Sequence, residues 1–166
     1  MKYGMNLLLW SGEVTSELLP TCEQLKKAGY DGVELPMFNL ELDYKSLGES
    51  LDSMGLARTA VTIRGEEDNP ISPDSSVRSK GVELTKQTLD CCAAAGVETL
   101  VGPYHSALGY FSGAGPSEDE WKWGVDSMRQ VAEHAGQVGV KLGVEALNRF
   151  ECYFLNTHGD SARFVR

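Results

Sequence analysis

Positive charge and long apolar runs are both scarce in this sequence. Lysine and arginine total 15 against 24 aspartate and glutamate residues, which gives a formal net charge of −9. Holding a phosphate backbone requires clustered basic side chains, so we expect no nucleic-acid partner. No apolar run approaches the roughly 20 residues of a membrane span, so we expect no membrane partner. The N-terminus has too short an apolar core for a signal peptide and no small-residue cleavage site, which predicts a cytoplasmic protein.

Several common site motifs are also missing. The four cysteines include no CxxC pair, which indicates reduced, mostly buried thiols rather than a disulfide framework. No HxxxH or HExxH pair occurs, which disfavours a self-contained zinc site. The turn after the first predicted strand has no GxGxxG, and no turn has a P-loop, so the usual nucleotide-binding motifs are absent.

One pattern repeats four times along the chain. A helix ends in a glycine, an apolar residue follows, and a short strand comes next, at Gly29, Gly55, Gly96 and Gly139. A glycine in this place adopts the left-handed conformation that closes a helix, and the apolar residue packs back on the last turn. Alternating helices and strands predict a parallel sheet with helices outside it.

The predicted fold class is therefore α/β. We expect a (β/α)8 TIM barrel, which takes roughly 250 residues when complete, with residues 1–166 supplying about the first five βα units as one incomplete domain. An open doubly wound sheet closes at this length and is the alternative, which the missing GxGxxG disfavours. The predicted strands are residues 3–9, 32–35, 59–63, 99–102 and 142–145. The predicted helices are residues 15–28, 44–54, 75–95 and 117–138, and another starts at His158, capped by Asp160 or Thr157.

The segment at 141–151, KLGVEALNRFE, is an apolar strand that stops at the carboxylate of Glu145. A buried charge is costly unless something pairs with it, and at the carboxyl end of a parallel strand the partner is often a metal or a substrate. Glu34 ends the second strand in the same style. Two structural alternatives stay open: Glu145 bonds backbone or Arg149, and Glu34 belongs to an ion pair.

The loops after the predicted strands are long and polar, whereas the joints before the strands are tight. Barrel enzymes build their sites in such loops at the carboxyl ends of the strands. His105 lies in the loop after the fourth strand. Three roles stay open for it: binding a substrate, capping the core, or lying on the surface. Trp10, at the end of the first strand, is the better aromatic candidate for the wall of a sugar pocket.

One stretch carries a specific resemblance: Glu145-Ala-Leu-Asn-Arg-Phe-Glu151. Supporting stretches lie at 2–5, 29–34, 71–78, 102–106 and 155–157. Together they resemble the ketose 3-epimerases, a family within the xylose isomerase-like TIM-barrel superfamily. The chain departs from that family at 6–9 and at 64–67.

The resemblance implies a metal-dependent sugar epimerase that removes a proton next to a ketose carbonyl, through an enediolate, and inverts C3. The residue matching Glu145 binds Mn²⁺, Co²⁺ or Mg²⁺ and is one of two catalytic acid/bases. The residue matching Glu151 contacts the sugar near O1 and the carbonyl. The remaining residues expected near the sugar are Trp10, Glu34, Tyr104 and His105. The expected partners are a sugar substrate and further copies of the chain, in a homodimer or homotetramer.

The family completes its site with an Asp, a His and a second catalytic Glu on strands 6, 7 and 8, which this sequence does not contain. The resemblance therefore covers roughly the first half to three-fifths of the barrel, and we expect the 166-residue chain alone to be inactive. The alternatives are another xylose isomerase-like sugar isomerase, an inosose dehydratase-type enzyme, and a non-catalytic half-barrel.

Overall fold

Five parallel strands form one sheet in the order in which they occur in the chain. The structure is a computed structural model that describes residues 1–166. The strands are β1 Gly4–Asn6, β2 Gly32–Pro36, β3 Ala57–Val61, β4 Thr99–Gly102 and β5 Lys141–Val144. The helices are α1 Leu19–Lys27, α2 Tyr44–Ser53, α3 Ser75–Ala94, α4 Glu118–Val138 and α5 His158–Phe164. This sequential order confirms the predicted barrel segment, because a doubly wound sheet reverses its strand order.

The four glycine joints set this alternation. Gly29, Gly55, Gly96 and Gly139 have φ angles of 98°, 65°, 67° and 76°, in the left-handed region that a side chain disfavours. In each joint the residue after the glycine donates its N–H to the helix carbonyl five residues earlier, at 2.9 to 3.1 Å. Each helix therefore closes before the next strand starts, as the sequence predicts.

The first strand is shorter than predicted. It ends at Asn6 rather than near residue 9, because the Asn6 side-chain oxygen accepts from the N–H of Leu8 at 2.8 Å and caps a 3₁₀ turn over Leu7–Leu9. The third strand also starts and ends two residues earlier than predicted. At the other end of the chain, Thr157 caps α5 by accepting from the N–H of Asp160 at 3.1 Å, which decides between the two predicted caps.

The two faces of the sheet have different surroundings. Apolar side chains such as Val33, Leu35 and Leu100 face the helices and form the core between the two layers. The alternate positions, including Glu34, face the opposite, concave side of the sheet. All four cysteines are free, as predicted. None of the helices combines the length and apolarity that crossing a membrane requires.

A buried arginine fixes the loop after β3. Arg64 is only 7% exposed. Its Nε donates to the hydroxyl of Thr85 at 2.8 Å, and its Nη2 donates to that of Thr88 at 3.1 Å, both on α3. Its Nη1 lies 3.6 Å from a carboxylate oxygen of Asp68. The loop is therefore held to α3 by a largely buried guanidinium.

Arg64→Met is expected to lower the free energy of unfolding by about 3 kcal/mol, because it keeps the apolar stem but leaves the largely buried Asp68 carboxylate unpaired. Urea titration followed by circular dichroism measures the change. The control is Arg129→Met, which removes a side chain that is 73% exposed in its ion pair with Asp126 and should change stability by less than about 0.5 kcal/mol. Equal effects of the two substitutions would contradict the buried role of Arg64.

Candidate functional site

Glu34 lies in a row of polar side chains across the first three strands. The strand register aligns Asn6 with Glu34 and Glu34 with Thr59. One carboxylate oxygen of Glu34 accepts from the Asn6 amide at 3.0 Å, and the other accepts from the Thr59 hydroxyl at 2.8 Å. The proposed ion pair of Glu34 is therefore wrong, because its partners are a neutral amide and a hydroxyl. These bonds fix the orientation of the carboxylate on the concave face.

Glu145 follows β5 directly and continues its backbone ladder. Its N–H donates to the carbonyl of Gly102 at 3.3 Å. The side chain is exposed, and its carboxylate takes part in none of the chain's hydrogen bonds or ion pairs, so the alternative partner Arg149 does not engage it. Glu145 lines a concave space of about 510 Å³ on the inner face of the sheet, together with Asn6, Glu34 and His158.

The surroundings raise the pKa of the Glu145 carboxyl above its ordinary value. Loss of solvent around the carboxylate is the largest cause, and the negative charges of Glu34 and Glu151 add to it. Glu145 is thus close enough to Glu34 and to Glu151 for their charges to repel its carboxylate. Such a group holds its proton more tightly than an isolated glutamate and favours a nearby cation.

Glu34→Gln is expected to lower the pKa of Glu145 towards its ordinary value, because it removes one of the two repelling charges. Carbon-13 NMR titration of the Glu145 carboxyl measures this shift. Because the folded-state pKa of Glu145 is raised, the repulsion is absent at low pH, where Glu145 is protonated. As pH rises through that pKa, the repulsion lowers the free energy of unfolding, and Glu34→Gln should make this decrease smaller. The control is Glu133→Gln on the outside of α4, which should leave the Glu145 pKa unchanged. An equally unchanged Glu145 pKa in Glu34→Gln would contradict the proximity of Glu34 and Glu145.

The turn that carries Glu151 is organised by two asparagines. The Asn148 side-chain oxygen accepts from the N–H of Phe150 at 2.9 Å, and its amide nitrogen donates to the Glu151 carboxylate. The Asn156 amide donates to the carbonyls of Leu147 and Cys152 at 2.9 and 2.7 Å. Asparagine favours such local bonds to the backbone. This is why the specific motif at 145–151 folds into a turn that returns the second carboxylate towards the first.

Tyr104 and His105 lie behind this site, inside the protein. Both side chains are fully buried. The Tyr104 hydroxyl donates to the carbonyl of Gly143 at 3.2 Å. The His105 Nε2 lies 3.0 Å from the backbone oxygen of Glu145, and burial lowers the pKa of His105 to about 4, so its ring is neutral at neutral pH. Sugar contact by these two side chains stays a prediction.

The carboxylate oxygens of Glu145 and Glu34 are the candidate metal donors on the concave face. Glu145 offers carboxylate oxygens without internal partners, in a negative environment, which suits one ligand of a divalent cation. The oxygens of Glu34 are already occupied by Asn6 and Thr59. No group of three or more His, Cys, Asp or Glu side chains is arranged to hold a metal ion. The chain thus contains a suitable ligand but not a full ligand set.

Glu34 lies within β2 rather than at its end as predicted, and Glu145 follows β5. The chain that carries these two carboxylates matches a known family. Residues 22–166 match the family described as Xylose isomerase-like TIM barrel. The chain belongs to this family. Its five-stranded sheet is part of the family's barrel, and β1 to β5 are in barrel order.

The relatives of this TIM-barrel chain include ketose 3-epimerases, which confirms the resemblance. A D-psicose 3-epimerase of Agrobacterium fabrum is 27% identical over 172 residues, covering 100% of this chain and 59% of that protein. An L-ribulose 3-epimerase of Mesorhizobium japonicum is 29% identical over 167 residues, covering 99% and 56%. A crystal structure of a D-allulose 3-epimerase from Methylomonas sp. in complex with D-allulose matches with a TM-score of 0.91 and 25% identity, covering 99% and 58%. The chain therefore spans less than three-fifths of the length of these relatives.

Two further residues line the concave face of the TIM-barrel segment without having been assigned to a site from the sequence. Asn6 is one; it ends the first strand level with Glu34, a position that depends on the observed strand end and register. His158 is the other, and only the path of the loop before α5 brings it to this face. Trp10 lies outside the residues lining this space, is 48% exposed and follows the 3₁₀ turn. Its contact with a sugar stays a prediction.

Proposed function

We propose that the natural protein carrying this chain is a metal-dependent ketose 3-epimerase. The observation that supports this most is the Glu145 carboxylate, which faces the concave side of a barrel sheet without an internal partner. Relatives named for 3-epimerisation of D-psicose and L-ribulose add to it. The homo-oligomer, the cytoplasmic location and the single domain over 1–166 stay predictions.

The proposed reaction begins with proton transfer at C3. A carbon–hydrogen bond next to a ketone is weakly acidic, and inversion requires one group to remove the proton and another to return it on the opposite face. Glu145 is the first of these groups. The raised pKa of Glu145 makes it a stronger base than an isolated glutamate once it is deprotonated. The resemblance assigns the second group to a strand beyond the five in this chain.

A divalent cation, when bound, supplies Lewis-acid polarisation of the ketose carbonyl. Glu145 is the residue of this chain that would hold it, and carboxylate oxygen suits Mn²⁺ or Mg²⁺, with Co²⁺ as a further choice. The charges of Glu34 and Glu151 favour a cation at this place. Glu34, fixed by Asn6 and Thr59, is assigned to a sugar hydroxyl, and Glu151 to the O1 end of the sugar.

The proposal is tested with the natural protein, stripped of metal by EDTA and assayed with D-psicose, D-fructose, D-tagatose and L-ribulose, with and without Mn²⁺. We expect epimerisation at C3 of at least one ketose, lost on stripping and restored by Mn²⁺. Full activity in protein shown to be metal-free would contradict the metal requirement. No epimerisation of any of these ketoses under any metal condition would contradict the function itself.

A further inference from the structure

The loop after β4 holds the carboxylate-bearing segment at three points. The ring nitrogen Nε2 of His105 bonds the backbone oxygen of Glu145 at 3.0 Å. The N–H of Gly109 donates to the backbone oxygen of Glu151 at 2.8 Å. The hydroxyl of Ser106 lies 3.4 Å from the Sγ of Cys152. The two carboxylates are thus the first and last residues of a turn whose two ends are attached to the same loop.

The side-chain part of this contact is shielded from water. His105, Ser106 and Cys152 are all at most 1% exposed, so no water competes for their hydrogen bonds. A carbonyl only accepts, so the proton of the neutral ring is on Nε2 of His105, and Nδ1 accepts from the Ser106 hydroxyl at 3.0 Å. The Ser106 oxygen then accepts from the Cys152 thiol. Each of the three donors, the His105 ring N–H, the Ser106 hydroxyl and the Cys152 thiol, thus has one acceptor, so the directions of these hydrogen bonds are fixed.

Between its attached ends, the turn is exposed. Asn148, Arg149 and Phe150 are all exposed, and the Phe150 side chain is 91% accessible. Packing therefore does little to fix the middle of the turn. The bonds of Asn148 shape it internally, and the attachment of its two ends to the loop after β4 adds the constraint that fixes its place against the sheet. An ångström of misplacement between reacting groups lowers rates by about 100-fold.

We propose that His105 and Ser106 are positioning residues that set the separation of Glu145 and Glu151 by clamping both ends of their turn. This inference rests on the proposed function for its catalytic consequence. In this role neither side chain touches the sugar. His105 acts through the backbone of Glu145, and Ser106 acts through Cys152, the neighbour of Glu151.

The test compares His105→Phe with His105→Gln in the natural protein. Phenylalanine keeps an aromatic ring beside Phe154, whose ring centre lies 5.9 Å from that of His105, but it cannot donate to Glu145. Glutamine keeps an N–H donor at similar reach. We expect His105→Phe to lower kcat by about 10- to 100-fold with a smaller change in KM. Amide hydrogen exchange at Gly109 should become about fivefold to tenfold faster as one hydrogen bond is lost. His105→Gln should recover most of both losses.

The control is Ser127→Ala, which removes a buried hydrogen bond of 3.0 Å to the carbonyl of Pro70, away from the site. It should leave kcat and Gly109 exchange at their parental values. Parental kcat and exchange in His105→Phe would overturn the proposal, as would equal losses in both His105 variants, which a packing role predicts. If the proposed function is wrong, the parent protein itself will be inactive as an epimerase. Amide exchange at Gly109 in the His105 variants would then still show whether the two residues clamp the turn.

Discussion

Replacing Glu145 by glutamine in the natural protein is expected to lower kcat for ketose epimerisation by about 1,000-fold, within the range that a general acid–base group contributes. Glutamine matches the size of glutamate but cannot accept the C3 proton and has no negative charge for a cation. Because the Glu145 carboxylate has no internal hydrogen bond, the substitution breaks no contact of the fold. The folded structure should therefore be preserved, and the free energy of unfolding should not fall, because the substitution also removes the repulsion from Glu34 and Glu151.

Steady-state kinetics and metal analysis by mass spectrometry measure the two consequences of Glu145→Gln separately. Bound Mn²⁺ should fall together with kcat. Glu133→Gln, an exposed charge on α4, is the matched control and should change neither quantity. Unchanged activity and metal content in Glu145→Gln would refute the assignment of this residue as ligand and base.

Gly102→Ala is expected to lower the free energy of unfolding by about 3 kcal/mol or more, because it combines backbone strain with overpacking. Gly102 ends β4 with a φ of 129°, a conformation that a side chain rarely adopts. An added Cβ would overlap the carbonyl oxygen of Thr62 on the neighbouring strand end. The Gly102 carbonyl also accepts from the N–H of Glu145 at 3.3 Å, so the strain would reach the site.

Denaturant titration of the natural protein measures this effect, with Gly136→Ala as the control. Gly136 lies inside α4 with nothing within 4 Å of an added Cβ. Alanine there should raise stability by about 0.5 to 1 kcal/mol, because it restricts the unfolded chain and favours the helix. A small or stabilising effect of Gly102→Ala would show that the end of β4 is not strained.

The fold was largely predictable because its main signals are local. A glycine followed by an apolar residue closes each helix through bonds within five residues, so the joints at Gly29 and Gly139 are visible in the sequence. The end of β1 was not predicted, although its cause is also local. The apolar run at 7–9 suggested a strand, but the side chain of Asn6 binds the backbone two residues ahead and turns the chain.

The candidate site was predictable only in part. Glu145 stands out because a charge ends an apolar strand, and parallel strands bring such ends to one edge. The partners of Glu34 depend on the register of three strands, and the bond between His105 and Glu145 joins residues 40 positions apart. No pattern in one sequence encodes such a pair. The bond from the His105 ring to the backbone beneath the Glu145 carboxylate was therefore not predicted, and contact of His105 with the sugar stays a prediction.

In the proposed reaction Glu145 moves the C3 proton of a ketose. The most direct measurement is incubation of the natural protein with D-fructose or D-psicose and Mn²⁺ in D₂O, followed by proton NMR of the recovered sugars. We predict that deuterium enters at C3 as the epimer forms, and that Glu145→Gln abolishes both within the time in which the parent reaches equilibrium. Epimerisation without deuterium at C3, or exchange that continues unchanged in Glu145→Gln, would contradict this role of Glu145.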